Sequence, residues 1–178
     1  MERKQILPGS DLLIFLHLKT DDSMIQQFHG INEEEYEHLK NAVSLITVLI
    51  AGADGQIDQK EKEWAQKVAK IRSYSLPVGL KDFYLDVGND FPDRLEIFID
   101  RYQGEVEPRN RNIADELSKL NPILAKIKNK EASAALYESF ISFAKHVARA
   151  SGGFLAWGTV NPQEKRLIGL EMIRPIEE

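Results

Sequence analysis

The chain of 178 residues contains no cysteine. Disulfides, thiolate metal sites and a cysteine nucleophile are excluded on that ground alone. Also missing are a Gly-x-x-x-x-Gly-Lys-Ser/Thr phosphate loop, a Gly-x-Gly-x-x-Gly turn and a Gly-x-Ser-x-Gly nucleophile elbow. There is no excess of positive charge: the formal net charge is -5, which argues against a nucleic-acid partner. No long apolar run occurs near the start. The stretch 12–18 is interrupted by His17, falls far short of the roughly 20 residues of a membrane span, and lacks the small-residue cleavage site of a signal peptide. A cytoplasmic chain without a membrane span is the expectation. Histidine is scarce, at four residues. Glu35-x-x-His38 has the spacing used in di-iron carboxylate bundles, but those need a second pair, and His146 has Phe143 three residues before it. No constellation points to catalysis, so a non-enzymatic protein is expected.

What is present is helical pattern. Hydrophobic residues make up 43% and charged residues 29% of the chain, ordinary values for a globular domain. Asn32 followed by Glu33, Glu34 and Glu35 is a helix start with anions in the first turn. Leu39, Val43, Ile46 and Ile50 then return at the helical period, while Leu45, Val48 and Leu49 fill the other faces. This predicts a core helix over 32–53, stopped by Gly55. A second long apolar helix is predicted over 131–150, with Leu136, Phe140, Phe143 and Val147 on one stripe. The two should pack against each other at the centre of an all-α domain.

The remaining elements are shorter. Asp58 with Glu61 three residues on reads as a capping box that opens a charged helix, with Trp64, Val68 and Ile71 as its apolar stripe. Gly30 should end a short helix that reaches Phe28. Residues 80–86 and 91–102 read as two separate helices. Asp82, Asp86, Asp90 and Asp93 lie beside the apparent breaks and read as turn and cap residues. Asn121-Pro122 reads as a helix restart with Asn as the cap, and Asn161-Pro162-Gln163-Glu164 as another, leading a last helix to Ile173.

Asp54 does not fit this pattern. It stands at the C-terminal end of the first long helix, where the dipole disfavours an anion by roughly 0.3–1 kcal/mol. One reading makes Asp54 the opener of an Asp-Gly turn. The other supplies a hard cation, calcium or magnesium, to offset the charge. The spacing argues against an ordinary EF-hand, because its first and third ligand positions would fall on Ile50 and Gly52.

The stretch Ala53-Asp54-Gly55-x-Ile57-x-x-x-Glu61, between an apolar helix and a charged one, resembles the signature of the TerB-like tellurite-resistance family. The likeness extends over roughly residues 32–173, because the second hairpin weakly repeats the first. It implies an all-helical fold, a compact bundle of two pseudo-equivalent helical hairpins, with residues 1–31 as an arm and short helices packed on a domain over 32–178. It also implies a stress-response role in which Asp54, Asp58 and Glu61, with Glu164 from the second hairpin, hold a divalent metal. Ser151 stands where the second hairpin would have aspartate, and residues 155–160 lengthen its loop. The alternative expectation is a metal-free interaction module; the resemblance adds that this fold also occurs as a module fused to other domains. Its partner would be a protein, with self-association left open, and Phe154 and Trp157 in the second loop would be the aromatic anchors.

Overall fold

In the computed structural model, which describes residues 26–52, 57, 59–75, 78–150 and 166–176, Asn32 opens the first long helix as the sequence predicts. Its side-chain oxygen accepts the Glu35 N–H at 2.8 Å, and the Glu35 carboxylate accepts the Asn32 N–H at 3.0 Å. This reciprocal capping box starts α1 (Glu33–Ala51). A single 3-10 turn, Gln26–Phe28, precedes it. Gly30 then takes φ +113°, and a Cβ there would lie 2.3 Å from the Lys126 carbonyl oxygen, so only glycine fits.

Five further helices of seven residues or more follow among the described residues: α2 (Gln59–Ser75), α3 (Val78–Arg101), α4 (Val106–Ser118), α5 (Leu120–Lys126) and α6 (Lys130–Ala150). Among the described residues there is no strand, only an isolated bridge between His29 and Ile31. The protein is an all-α bundle. No helix among the described residues is long and apolar enough to cross a membrane.

Helix α1 is the centre of the bundle. Every residue from Ala42 to Ala51 is buried, whatever face it lies on. Such a helix must be surrounded, and α1 packs against α3 and α6 with α2, α4 and α5 on its remaining sides. The expected pairing of the two long apolar helices is therefore present. Phe83 of α3 ties the layers together. Its ring meets Phe28 at 5.8 Å, Tyr36 at 6.0 Å and Phe140 at 6.2 Å between centroids, all edge-on. Such ring pairs add about 0.5–1.5 kcal/mol beyond their burial.

Three expectations from the sequence are corrected. Residues 80–86 and 91–101 are not two helices but parts of α3, the longest described helix at 24 residues, which runs through both Gly88 and Pro92. A helical glycine costs about 1 kcal/mol and an internal proline about 3 kcal/mol. Against that, α3 buries Phe83, Tyr84, Val87, Phe91, Leu95 and Phe98, each worth about 1.5–3 kcal/mol, and packing wins. Asp82, Asp86 and Asp90 are thus mid-helix residues one turn apart, not caps. On α2 the buried face is Ala65, Val68, Ala69 and Arg72, not Trp64, Val68 and Ile71; Trp64 is 39% and Ile71 50% exposed. The two alanines let α2 lie close against α3. Finally, Asn121 caps nothing. It lies inside α5, where its side chain accepts the Arg174 N–H at 2.8 Å and donates to the Met172 carbonyl at 3.0 Å, pinning the C-terminal segment.

The predicted last helix is described from Arg166, and it does not reach Ile173. It ends at Ile168 in a Schellman arrangement. The Glu171 N–H bonds the Arg166 carbonyl and the Leu170 N–H bonds the Leu167 carbonyl. The left-handed position falls on Leu170, φ 48°, one residue past Gly169. That costs a non-glycine residue roughly 1–2 kcal/mol, a cost offset by the complete burial of Leu170.

Ile46 and Phe140 are both fully buried. We expect Ile46→Ala to lower the unfolding free energy by about 2–5 kcal/mol and Phe140→Ala by about 3–5 kcal/mol in urea titrations. Losses under about 1 kcal/mol would contradict this core.

Candidate functional site

The sequence pointed to the junction between α1 and α2. Helix α1 stops at Ala51 rather than at 53, with Gly52 as its cap. Gly52 has φ -79°, so glycine is not needed there for a left-handed turn. It is needed for space. A Cβ on Gly52 would sit 3.2–3.3 Å from three atoms of the Arg109 guanidinium.

Arg109 comes from the first turn of α4 and is 7% exposed. Its guanidinium donates to the Gly52 carbonyl and also approaches the Asn110 side-chain oxygen. Helix α1 has three anions in its first turn and no cation of its own in its last. Arg109 provides that cation from another helix, against the negative end of the dipole. The C-terminal end of α1 thus carries a buried positive charge that the protein itself supplies.

The sequence reading missed Arg109, although a signal was available. Arg109, Ile113 and Leu117 are spaced by four, and all three are buried. Arg109 is the cation on the apolar stripe of α4.

Of the residues expected to hold a metal, Asp54, Asp58 and Glu164 lie outside the described residues. Glu61 is placed by its backbone in the first turn of α2, its side chain not described. Phe154 and Trp157, the expected partner anchors, also lie outside them. Among the described residues no group of three or more histidine or carboxylate side chains is arranged to hold a metal ion.

The contacts do place the chain ends from which both loops depart. The Trp64 indole N–H, near the start of α2, donates to the His146 carbonyl near the end of α6 at 3.4 Å. At the opposite end Lys126 of α5 pairs with Glu35 at the start of α1. The end of α1, the start of α2 and the end of α6 thus share one end of the bundle. Trp64 is the exposed aromatic there, with the Lys67 ammonium 5.4 Å from its ring centroid.

No family model, no curated protein and no solved structure matches this chain.

A second cluster lies on the other half of α1, where sequence reading saw only caps. The Lys40 ammonium, 6% exposed as a residue, sits among Glu37 at 3.1 Å, Asp86 at 3.3 Å and Asp90 at 3.5 Å. Arg94 pairs with Glu37 at 2.9 Å and with Asp90, and also donates to Asn41. Burial alone would lower the Lys40 pKa, but Asp86, Glu37 and Asp90 outweigh it and hold the amine above its ordinary value. Burial alone would raise the Asp90 carboxyl, but the Arg94 hydrogen bond and the charges of Lys40 and Arg94 hold it below the usual carboxylate range. Burial and the nearby Asp86 charge push the Tyr36 phenol far up, so it stays protonated. These groups fasten α1 to α3 with cations from the chain.

Two outcomes follow. Arg109→Ala should lower stability by about 1.5–3 kcal/mol, the range for losing a charged hydrogen bond to a buried acceptor. Exposed Arg111, two residues on, should tolerate alanine within about 0.5 kcal/mol; equal effects would contradict the assignment. Asp90 titrates lower folded than unfolded. Its stabilisation is therefore present above the unfolded value of about 3.9 and is lost as pH falls through the folded value. Melting temperature should fall less steeply with acidification in Arg94→Met than in the wild type, and an unchanged slope would count against the network.

Proposed function

We propose that this protein is a non-enzymatic, TerB-like interaction module that engages a partner protein at the end of the bundle where α1, α2 and α6 meet. The observation that carries the reading is Trp64. An indole 39% exposed, held in place by the His146 carbonyl and by Lys67, is an oriented aromatic anchor at that end. Tryptophan is enriched among residues that dominate binding energy. The same end carries the chain into both loops singled out from the sequence, including the one with Phe154 and Trp157. The TerB-like motif at 53–61 is compatible with the reading, since that fold also occurs as a module fused to other domains.

A divalent-cation site formed by Asp54, Asp58, Glu61 and Glu164 is the second reading, favoured by the spacing of the acidic residues. Arg109 weakens its premise. The negative helix end at which a metal was invoked already carries a guanidinium on the Gly52 carbonyl.

One pair of experiments separates the two. Trp64→Glu should retain the wild-type melting temperature to within a few degrees, since the residue is exposed, and should lose the protein that co-purifies with the wild-type chain from its native cell. Retention of that protein by Trp64→Glu would overturn the interaction reading at this surface. Calcium or magnesium at millimolar levels should leave the melting temperature unchanged. A rise abolished by Asp54→Asn would instead establish the metal site, because a ligand that binds only the native state stabilises it.

A further inference from the structure

The outer side of α3 carries a stripe that the fold leaves largely uncovered. Lys81, Leu85, Gly88, Pro92 and Glu96 follow one another at steps of four, three, four and four, so they lie on one side of the helix. Leu85 is 49% exposed, and Gly88, Pro92 and Glu96 are exposed as well. The stripe is neutral, with one cation at its start and one anion at its end. Three aspartates of the same helix are engaged elsewhere: Asp82 accepts from Gln27 at 3.2 Å, and Asp86 and Asp90 flank Lys40. Lys62 of α2 reaches Glu96 at 2.7 Å, yet that carboxylate side chain stays 57% exposed.

A protrusion and a recess stand side by side on this stripe. Between α2 and α3 lies a groove of about 330 Å³ lined by Gln66, Lys70, Leu85, Gly88, Asn89 and Pro92, among others. Gly88 opens it, since a Cβ built there would meet nothing within 4 Å. Pro92, four residues on, has no N–H to give to the Gly88 carbonyl, so that acceptor lacks its helical donor. Leu85 stands one turn away at the edge of the groove. A knob and a hole on the same surface suit an isologous two-fold contact, in which each copy gives its knob and receives the other's.

We propose that this stripe is the interface of a homodimer, in which the α3 helices of two copies pack antiparallel about a two-fold axis that passes between Gly88 and Asn89. The axis sets every pairing at once. Leu85 meets Pro92 of the partner subunit and fills the recess at Gly88 of the partner subunit. Asn89 of the partner subunit faces Gly88, and its carboxamide N–H donates to the carbonyl that has no helical donor. Lys81 comes opposite Glu96 of the partner subunit. Each contact occurs twice. A parallel pairing would instead set Lys81 against Lys81 of the partner subunit, like charges that repel. Charge complementarity thus selects a second copy of this chain, and in one orientation. The inference goes beyond the Trp64 surface and does not depend on it.

Sedimentation equilibrium of the full chain tests the proposal. One helix from each copy makes a small interface, so a dimer with a micromolar dissociation constant is expected. Leu85→Glu and Gly88→Leu should each weaken dimerisation by about tenfold or more. Both change exposed positions, and Gly88→Leu also raises helix propensity, so circular dichroism should show both variants folded. Lys81→Glu alone and Glu96→Lys alone should each weaken the dimer, and the two changes together in one chain should restore it, because the exchanged charges again meet across the axis. Trp64→Glu should dimerise as the wild type does. A wild-type chain that stays monomeric at millimolar concentration overturns the proposal. So does a dimer indifferent to Leu85→Glu, a dimer lost in Trp64→Glu, or an exchanged pair that fails to restore association.

Discussion

The burial of α1 on all sides is the constraint on which the rest of this structure depends. A helix whose last ten residues are all buried cannot leave its terminal carbonyls to water, and each unpaired buried acceptor costs about 1–3 kcal/mol. The bundle answers with a cation from a neighbouring helix. Arg109 reaches the Gly52 carbonyl, and Gly52 is small because the guanidinium must come that close. The same device recurs along α1. Lys40 is held among three carboxylates, two of them on α3, and Arg94 of α3 returns to Glu37 and Asn41. Buried charge is a poor source of net stability, but removing one partner is costly. The register of α3 on α1 is therefore sharply specified.

This view changes the meaning of the acidic residues. From the sequence, an aspartate at a helix C-terminus asks for a cation, and a row of aspartates beside apparent breaks asks for caps. In the folded chain the Gly52 carbonyl at the end of α1 receives Arg109, while Asp86 meets Lys40 and Asp90 meets Lys40 and Arg94. The functional argument then turns on Trp64, exposed on α2 and oriented by the His146 carbonyl.

Much of the fold was legible in residue pattern. The Asn32–Glu35 box, the apolar stripe of α1 and the stripe of α6 through Phe140 and Phe143 were all local signals of the right period. The errors have a common cause, which is tertiary packing overriding a local rule. Gly88 and Pro92 are helix breakers in isolation, yet six large buried side chains carry α3 through them. Trp64 and Ile71 have core spacing, yet Ala65 and Ala69 let the opposite face approach α3 more closely. Leu170 takes a left-handed conformation that Gly169 could have taken, because its side chain belongs in the core. Of the expected metal site only Glu61 falls among the described residues, in the first turn of α2 and without a described side chain. Asp54, Asp58, Phe154, Trp157 and Glu164 lie outside the described residues, and Arg109 was overlooked because a charged residue on an apolar stripe was not asked what it paired with.

The central claim is that the buried end of α1 is held by Arg109. Native-state hydrogen exchange at the amides of Val48–Gly52 tests it most directly, because local opening of a helix end is read separately from global unfolding. The account predicts strong protection in the wild type that is indifferent to EDTA. In Arg109→Met that protection should fall by about tenfold or more, an opening made easier by about 1.4 kcal/mol, while Leu39 and Val43 stay protected. Protection that survives Arg109→Met, or that is lost on adding EDTA to the wild type, would contradict it.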